Sequence, residues 1–202
     1  MTSLFAAASF ACAAFFGIVL ARAFCRGKIP YDDGPTPKHP PVLGLTLASA
    51  AFGAANGLHG VPLYGIAVLA VLCGTFAAIW YSDVRLGLIP DAFTVAPLLV
   101  FSVYAAVRGD WTAIGSAVLT FAAFGAIAAA SHGRGIGWGD VKLAALGGVL
   151  LGIGTAALAF AAAGLLLAAG ALIPGRRRKA VAFGPYLISA MVLALWLPLL
   201  RG

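Results

Sequence analysis

Carboxylates are the side chains in this sequence best suited to acid–base chemistry, and there are few of them. All six acidic residues are aspartates, and glutamate does not occur. They are Asp32, Asp33, Asp83, Asp91, Asp110 and Asp140. Two carboxylates held close together share a proton, because like-charge repulsion and desolvation oppose ionisation of both. Such a pair activates water by general base and acid catalysis, which is the chemistry of an aspartic protease.

The elements that position these aspartates are predicted to be membrane helices. Of the 202 residues 62% are hydrophobic and only 9% are charged, and the mean hydropathy is +1.04. This composition excludes a soluble globule. We predict an all-α fold, a polytopic transmembrane bundle of about eight spans. The segments are 4–24, 42–58, 62–81, 91–107, 111–131, 140–152, 154–173 and 182–200.

The distribution of cations predicts the orientation of this bundle. With the N-terminus outside, the cytoplasmic connections hold eleven of the thirteen Lys and Arg residues, in agreement with the positive-inside rule. Arg108 and Arg201 remain outside. The net charge of +7 therefore needs no nucleic acid partner, and the expected surroundings are a lipid bilayer. We expect one membrane-embedded domain over 1–202, with N-terminal spans and a short loop in 1–60 and a catalytic core in 61–202.

The predicted topology places Asp83, Asp91 and Asp140 at the cytoplasmic ends of spans. Asp91 and Asp140 each open a helix, so either could cap free backbone N–H groups. Asp83 ends a helix, where a negative charge opposes the macrodipole and gives no capping benefit. Carboxylates inside a membrane protein are candidates for function. The resulting hypothesis is that Asp83 holds a proton and that Asp140, favoured as an anion by its helix N-terminus, is the base.

Two motifs contain these aspartates. The stretch from Asp83 to Asp91, DVRLGLIPD, resembles the D-x-R-x-x-x-I-P-[ND] signature of type IV prepilin peptidases. The stretch GWGDVKL, which contains Asp140, is similar to their G-x-G-D-V-K-L motif. A third stretch, FGPYL from Phe183, resembles the F-G-P-[FY]-L segment that opens the last helix of this family. The resemblance covers about residues 62–200.

The resemblance implies a membrane aspartic endopeptidase that removes the basic leader from prepilins or pseudopilins. It implies cleavage at the cytoplasmic face of the bacterial inner membrane. The catalytic residues of the family map onto Asp83 and Asp140. We expect five further residues to bind substrate or shape the site, with the two glycines allowing close backbone approach: Gly137, Gly139, Lys142, Arg85 and Pro90.

No cofactor and no metal are predicted, because two carboxylates and a water molecule supply the chemistry. Long members of the family carry paired cysteines between the first two spans and also methylate the new pilin N-terminus. Here the corresponding region, 22–41, has Cys25 alone and no C-x-x-C pair. This departure argues against a zinc site and against methyltransferase activity.

The alternative function is a small membrane transporter that uses Asp83 and Asp140 for proton or cation coupling. Transporters often contain internal repeats, and no convincing repeat is found here. A presenilin-like protease would need a P-A-L motif, and a rhomboid-like protease would need G-x-S-G; neither occurs. A noncatalytic scaffold would have no reason to retain both motifs.

Overall fold

The computed structural model describes residues 2–26, 42–131, 136–171 and 182–200, and these residues are helical apart from short connections. These residues form seven helices and no strand, so the all-α prediction is confirmed for this part of the chain. The helices are α1 (Thr2–Cys25), α2 (Val42–Leu58), α3 (Leu63–Leu86), α4 (Asp91–Val107), α5 (Trp111–Ala130), α6 (Trp138–Ala171) and α7 (Gly184–Leu200).

Four helices are long and apolar enough to cross a membrane, judged by length and composition. They cover Thr2–Cys25, Leu63–Leu86, Trp111–Ala130 and Trp138–Ala169. Three apolar helices within the described ranges are shorter. The protein is therefore a multi-pass membrane protein, but the expected count of about eight spans is not confirmed. Most of the cations that predict the orientation lie at 27–41, 132–135 and 172–181, outside the described residues.

The chain forms two compact units, Met1–Leu88 and Ile89–Gly202. The sequence placed its own division at residue 60, and the assignment of 1–202 to one peptidase domain stays a prediction. In the first unit, α1 packs against both α2 and α3. Glycines make these contacts close: a Cβ at Gly17 would clash with the backbone of Gly74, and one at Gly53 would lie 2.6 Å from the carbonyl oxygen of Ala6. Small residues allow such approach between membrane helices.

Helix α6 is the central element of the second unit, where it packs against α4, α5 and α7. Its first half contacts α5 closely, since a Cβ at Gly148 would lie 2.6 Å from the carbonyl oxygen of Ser116. The aromatic rings of Phe124 in α5 and Phe160 in α6 meet edge to face, with 5.2 Å between centroids. Edge-to-face contact is a preferred geometry for aromatic pairs.

Helix α6 is interrupted at Gly152, whose φ of 71° and ψ of 162° are not helical. Its two halves fold back on one another there, because a Cβ at Gly147 would lie 2.5 Å from Cζ of Phe160. In a continuous helix, thirteen residues would separate these positions by about 20 Å. This break lies at the boundary that the sequence places between the sixth and seventh segments.

Candidate active site

Asp83 lies in the last turn of α3, and its side chain is buried, with only 6% of the residue exposed. The helix ends three residues later at Leu86 and is capped by Gly87, which has a φ of 65° and a backbone N–H that donates to the carbonyl oxygen of Asp83 at 2.7 Å. Glycine adopts this left-handed conformation without the steric cost of a Cβ, which makes it the usual helix terminator. The motif thus stops α3 directly after the aspartate and leaves a carboxylate at the end of the helix.

Arg85, predicted to shape the site, donates from Nη1 to the hydroxyl oxygen of Tyr81 at 3.3 Å. Tyr81 is buried, and the guanidinium of Arg22 from α1 lies over its ring, 5.7 Å from the centroid. The sequence analysis missed Tyr81, although the four-residue spacing to Arg85 places both side chains on one face of α3. Tyr81 therefore fixes two cations near the end of the helix that carries Asp83.

Asp140 occupies the third position of α6. Its Oδ2 accepts a hydrogen bond from the backbone N–H of Gly137 at 3.1 Å. An acidic side chain that reaches back in this way satisfies a free N–H group at the start of the helix, as in a capping box. The sequence allowed Asp140 to cap free N–H groups, and Asp140 does so from within the first turn, because α6 begins at Trp138.

The other carboxylate oxygen of Asp140, Oδ1, is buried and has no hydrogen-bond partner among the residues that the structure describes. Buried polar atoms are almost always hydrogen-bonded, so an exception calls for an explanation. The described residues therefore leave the acceptor capacity of Oδ1 unused.

The sequence analysis considered Asp91 as a cap of α4, but Asp91 does not occupy the N-cap position. That position belongs to Pro90, which has extended backbone angles and makes no side-chain capping bond. Asp91 instead begins the helix, and its Oδ1 accepts from Nζ of Lys142 in an ion pair of 2.6 Å. Lys142 thus binds the start of α4 to the start of α6, two residues after Asp140.

Gly139 is explained by a contact between the two motifs. A Cβ at this position would lie 2.7 Å from Cβ of Ile89. Real Cβ atoms do not approach so closely, so only glycine allows Ile89 to pack against the first turn of α6. The sequence analysis expected this glycine to allow close backbone approach and missed Ile89, because nothing local to the sequence pairs these positions. The I-P-D end of the first motif and the G-D-V-K part of the second therefore pack together.

The third motif begins α7. Phe183 is largely buried, and its carbonyl oxygen accepts from the backbone N–H groups of Tyr186 and Leu187 at 3.0 and 3.1 Å. Pro185 lies in the first turn, where its missing N–H costs nothing. Leu187 is completely buried. The motif therefore starts a helix and packs it into the second unit.

Across the described ranges no group of three or more His, Cys, Asp or Glu residues could hold a metal ion. Asp83 belongs to the first unit and Asp140 to the second. Their pairing, and the site roles of Gly137, Gly139, Lys142, Arg85 and Pro90, remain predictions and are taken up below.

Comparison with known protein families gives one match. The model of the Type IV leader peptidase family matches residues 70–173. This range includes Asp83, Asp140 and both motifs around them, and it ends before the third motif at Phe183. Searches of curated proteins and of solved structures gave no match. Because the family match covers 104 of 202 residues, the chain belongs to the Type IV leader peptidase family and is a membrane protease.

Proposed function

We propose that this protein is an aspartic endopeptidase that removes the basic leader from type IV prepilin-like or pseudopilin precursors. Asp83 and Asp140 are its catalytic residues, and the site faces the cytoplasm at the bacterial inner membrane. Family membership supports a protein substrate in a membrane context. The assignment of the pair is supported by the two motifs, whose catalytic positions map onto these aspartates. Of the other aspartates, Asp91 forms an ion pair with Lys142, and the remaining three lie outside the motifs.

The observation that carries this proposal is the state of the Asp140 carboxylate. Oδ2 is held by the N–H of Gly137, which fixes the orientation of the side chain. Oδ1 is buried and lacks a hydrogen-bond partner within the described part of the chain. A general base needs an acceptor atom that is positioned by the protein and open to its proton donor. Oδ1 is positioned by the protein and takes no hydrogen bond from a described residue, but it is buried, so the proposal requires that water reach it when substrate enters the site.

The reaction that we propose begins with Asp140 ionised and Asp83 protonated. Asp140 removes a proton from water while the water oxygen bonds to the scissile carbonyl carbon, and the carbonyl oxygen takes the proton of Asp83. The C–N bond of the resulting gem-diol then breaks. The leaving nitrogen receives the proton from Asp140, and a diol hydroxyl returns a proton to Asp83. Both aspartates recover their starting states, so one peptide bond and one water are consumed and no cofactor is required.

The surrounding residues hold this base in place. The ion pair between Lys142 and Asp91 and the packing of Gly139 on Ile89 fix the first turn of α6 at two points on either side of Asp140. Pro90 contributes by beginning α4 with extended backbone angles. Catalytic groups must be held within a fraction of an ångström of the productive geometry, so these contacts bear directly on activity.

The test is cleavage of a purified prepilin-type substrate in liposomes, followed by mass spectrometry. We expect the wild type to cut after the leader glycine. Asp83→Asn and Asp140→Asn keep the size of each side chain and remove its ionisable group. Each should lower the rate at least about a hundredfold, the contribution expected of a general acid or base.

The matched control is Asp110→Asn, which changes an exposed aspartate that caps α5. This variant should cleave at the wild-type rate. If Asp83→Asn or Asp140→Asn also cleaves at that rate, the residue is not catalytic. If the folded wild type cleaves no candidate precursor but moves protons or cations across the liposome membrane, the transporter function is favoured instead.

A further inference from the structure

A cavity of about 320 Å³ lies in the first unit, at the ends of α1 and α3. Its volume is that of about ten water molecules, at roughly 30 Å³ each. Five residues line it: Arg22, Cys25, Arg26, Tyr81 and Arg85. Three of the five are arginines and none is acidic. The described lining of the cavity is therefore positively charged.

Tyr81 holds two of the three arginines in defined positions. The Arg22 guanidinium lies over the face of its ring at 5.7 Å from the centroid. Arg85 donates to its hydroxyl oxygen at 3.3 Å. These contacts use the π face of one arginine and one of five N–H donors of the other. Two guanidinium groups are thus ordered by contacts with a tyrosine, which leave their charges in place.

Among the described residues that line the cavity, no carboxylate balances the charges of Arg22, Arg26 and Arg85. Like charges around one cavity repel one another, and a bound anion relieves this repulsion. Guanidinium groups bind phosphate oxygens through paired N–H donors. Basic pockets between membrane helices on the cytoplasmic side are suited to phosphorylated lipid headgroups.

We propose that this cavity binds a phosphate group, the shared chemistry of an anionic phospholipid headgroup and of free phosphate. Arg22, Arg26 and Arg85 bind its oxygens, and Tyr81 positions the arginines. This inference goes beyond the proposed function and is tested by binding, so its outcome does not depend on whether the protein cleaves prepilins.

The experiment is native mass spectrometry of the delipidated full-length protein in detergent, titrated with phosphatidylglycerol or with phosphatidylcholine. We expect Arg22→Gln/Arg26→Gln to weaken phosphatidylglycerol binding about 25-fold, at about fivefold for each arginine. Arg108→Gln, which removes an arginine that does not line the cavity, should bind as the wild type does. Phosphatidylcholine binding should be the same in all three proteins.

Two further variants separate the roles of the residues. Arg22→Lys keeps the charge but loses the planar fork, so its affinity should lie between those of the wild type and the double variant. Tyr81→Phe keeps the ring under Arg22 but removes the acceptor for Arg85, and it too should bind with intermediate affinity. A thermal melt of each variant shows that it is folded before binding is compared.

Inorganic phosphate identifies the source of the anion. Displacement of phosphatidylglycerol by millimolar phosphate would show that free phosphate enters the same site, whereas lipid binding without displacement would assign the site to the lipid headgroup. Both results support a phosphate site. Equal phosphatidylglycerol binding by the wild type and by a folded Arg22→Gln/Arg26→Gln variant would overturn the proposal. The proposal would also be overturned if this variant lost phosphatidylcholine binding as strongly as phosphatidylglycerol binding.

Discussion

At the scale of the residue, the first turn of α6 contains both the aspartate that we propose as the base and the contacts that hold it in place. Asp140 uses one oxygen to cap its own helix and keeps the other buried and unpaired within the described structure. Gly139, its neighbour, contacts Ile89 so closely that a side chain has no room. A carboxylate that is fixed in this way loses little entropy when it binds water and substrate.

Gly139→Ala should lower both stability and cleavage. The added Cβ would lie 2.7 Å from Cβ of Ile89, an atom next to the backbone that cannot move away easily. The start of α6 must shift, at a cost of about 1–3 kcal/mol, and Asp140 moves with it. The measurement is thermal unfolding in detergent together with cleavage. Gly115→Ala is the control, because its Cβ would meet nothing within 4 Å; equal effects of the two changes would contradict the explanation.

Asp110 should make the stability depend on pH. Its carboxylate accepts from the hydroxyl of Thr112 and the backbone N–H of Ala113, which lowers the pKa of Asp110 below its ordinary value. A lowered folded-state pKa stabilises the fold above the ordinary pKa, and this contribution is lost as the pH falls through the folded-state value. We expect Asp110→Ala to lower the melting temperature at pH 7 and the gap from wild type to narrow below about pH 4.

Melting curves of both proteins from pH 7 to pH 3 test this prediction. Asp110→Asn, which keeps an acceptor for the N–H groups at the start of α5, should lose much less stability at pH 7 than the alanine variant. A gap that stays constant or widens toward acid pH would rule out the proposed ionic contribution of Asp110.

At the scale of the element, the interruption of α6 decides the shape of the second unit. The fold-back brings Phe160 against Gly147 and against Phe124 of α5. It depends on the backbone of Gly152, since the combination of φ 71° and ψ 162° is accessible to glycine and strained for other residues. The break is therefore built into the backbone at this one position.

Gly152→Ala should destabilise the protein by about 1–3 kcal/mol through backbone strain alone. Steric clash does not contribute, because a Cβ there would meet nothing within 4 Å. The measurement is the free energy of unfolding, or the melting temperature, in detergent. Gly154→Ala is a matched control two residues away, with open space around its Cβ and no positive φ. If the two variants are equally stable, the strain at Gly152 is not significant.

At the scale of the whole molecule, the protein is organised by the membrane. Many large apolar side chains are exposed, among them Leu99, Val103 and Leu158, at 60%, 61% and 75%. Exposed apolar surface on this scale is unfavourable in water and is expected for helices that face lipid. The orientation of these helices decides which compartment supplies the substrate.

Labelling of single cysteines in intact cells should reveal the predicted orientation. In a background with the three native cysteines replaced by alanine, His59→Cys, on the outer side, should react with a membrane-impermeant maleimide. Leu88→Cys, in the connection after Asp83, should react only after permeabilisation, because the positive-inside rule places it in the cytoplasm. Both positions are exposed in the structure. The opposite pattern would place the proposed site outside the cytoplasm.

The sequence alone determined the helical class, the membrane setting and the family, whereas the catalytic roles of the two motif aspartates stay predictions. The class, the setting and the family depend on hydropathy, which sums over a segment, and on motifs whose residues are close in the chain. Even some local details were missed: Pro90, not Asp91, occupies the N-cap of α4. The sequence could not predict that difference, because both residues suit the start of a helix.

Only the tertiary structure decided which distant residues meet. Lys142 pairs with Asp91 across 51 positions, Gly139 accommodates Ile89, and Arg22 comes to lie over Tyr81. Each contact depends on how helices pack, and in helices that are apolar on all sides the hydrophobic pattern does not specify the packed face. Close packing of small residues determines which face of each helix is packed. The residues around each aspartate therefore depend on the tertiary structure and could not be predicted from the sequence.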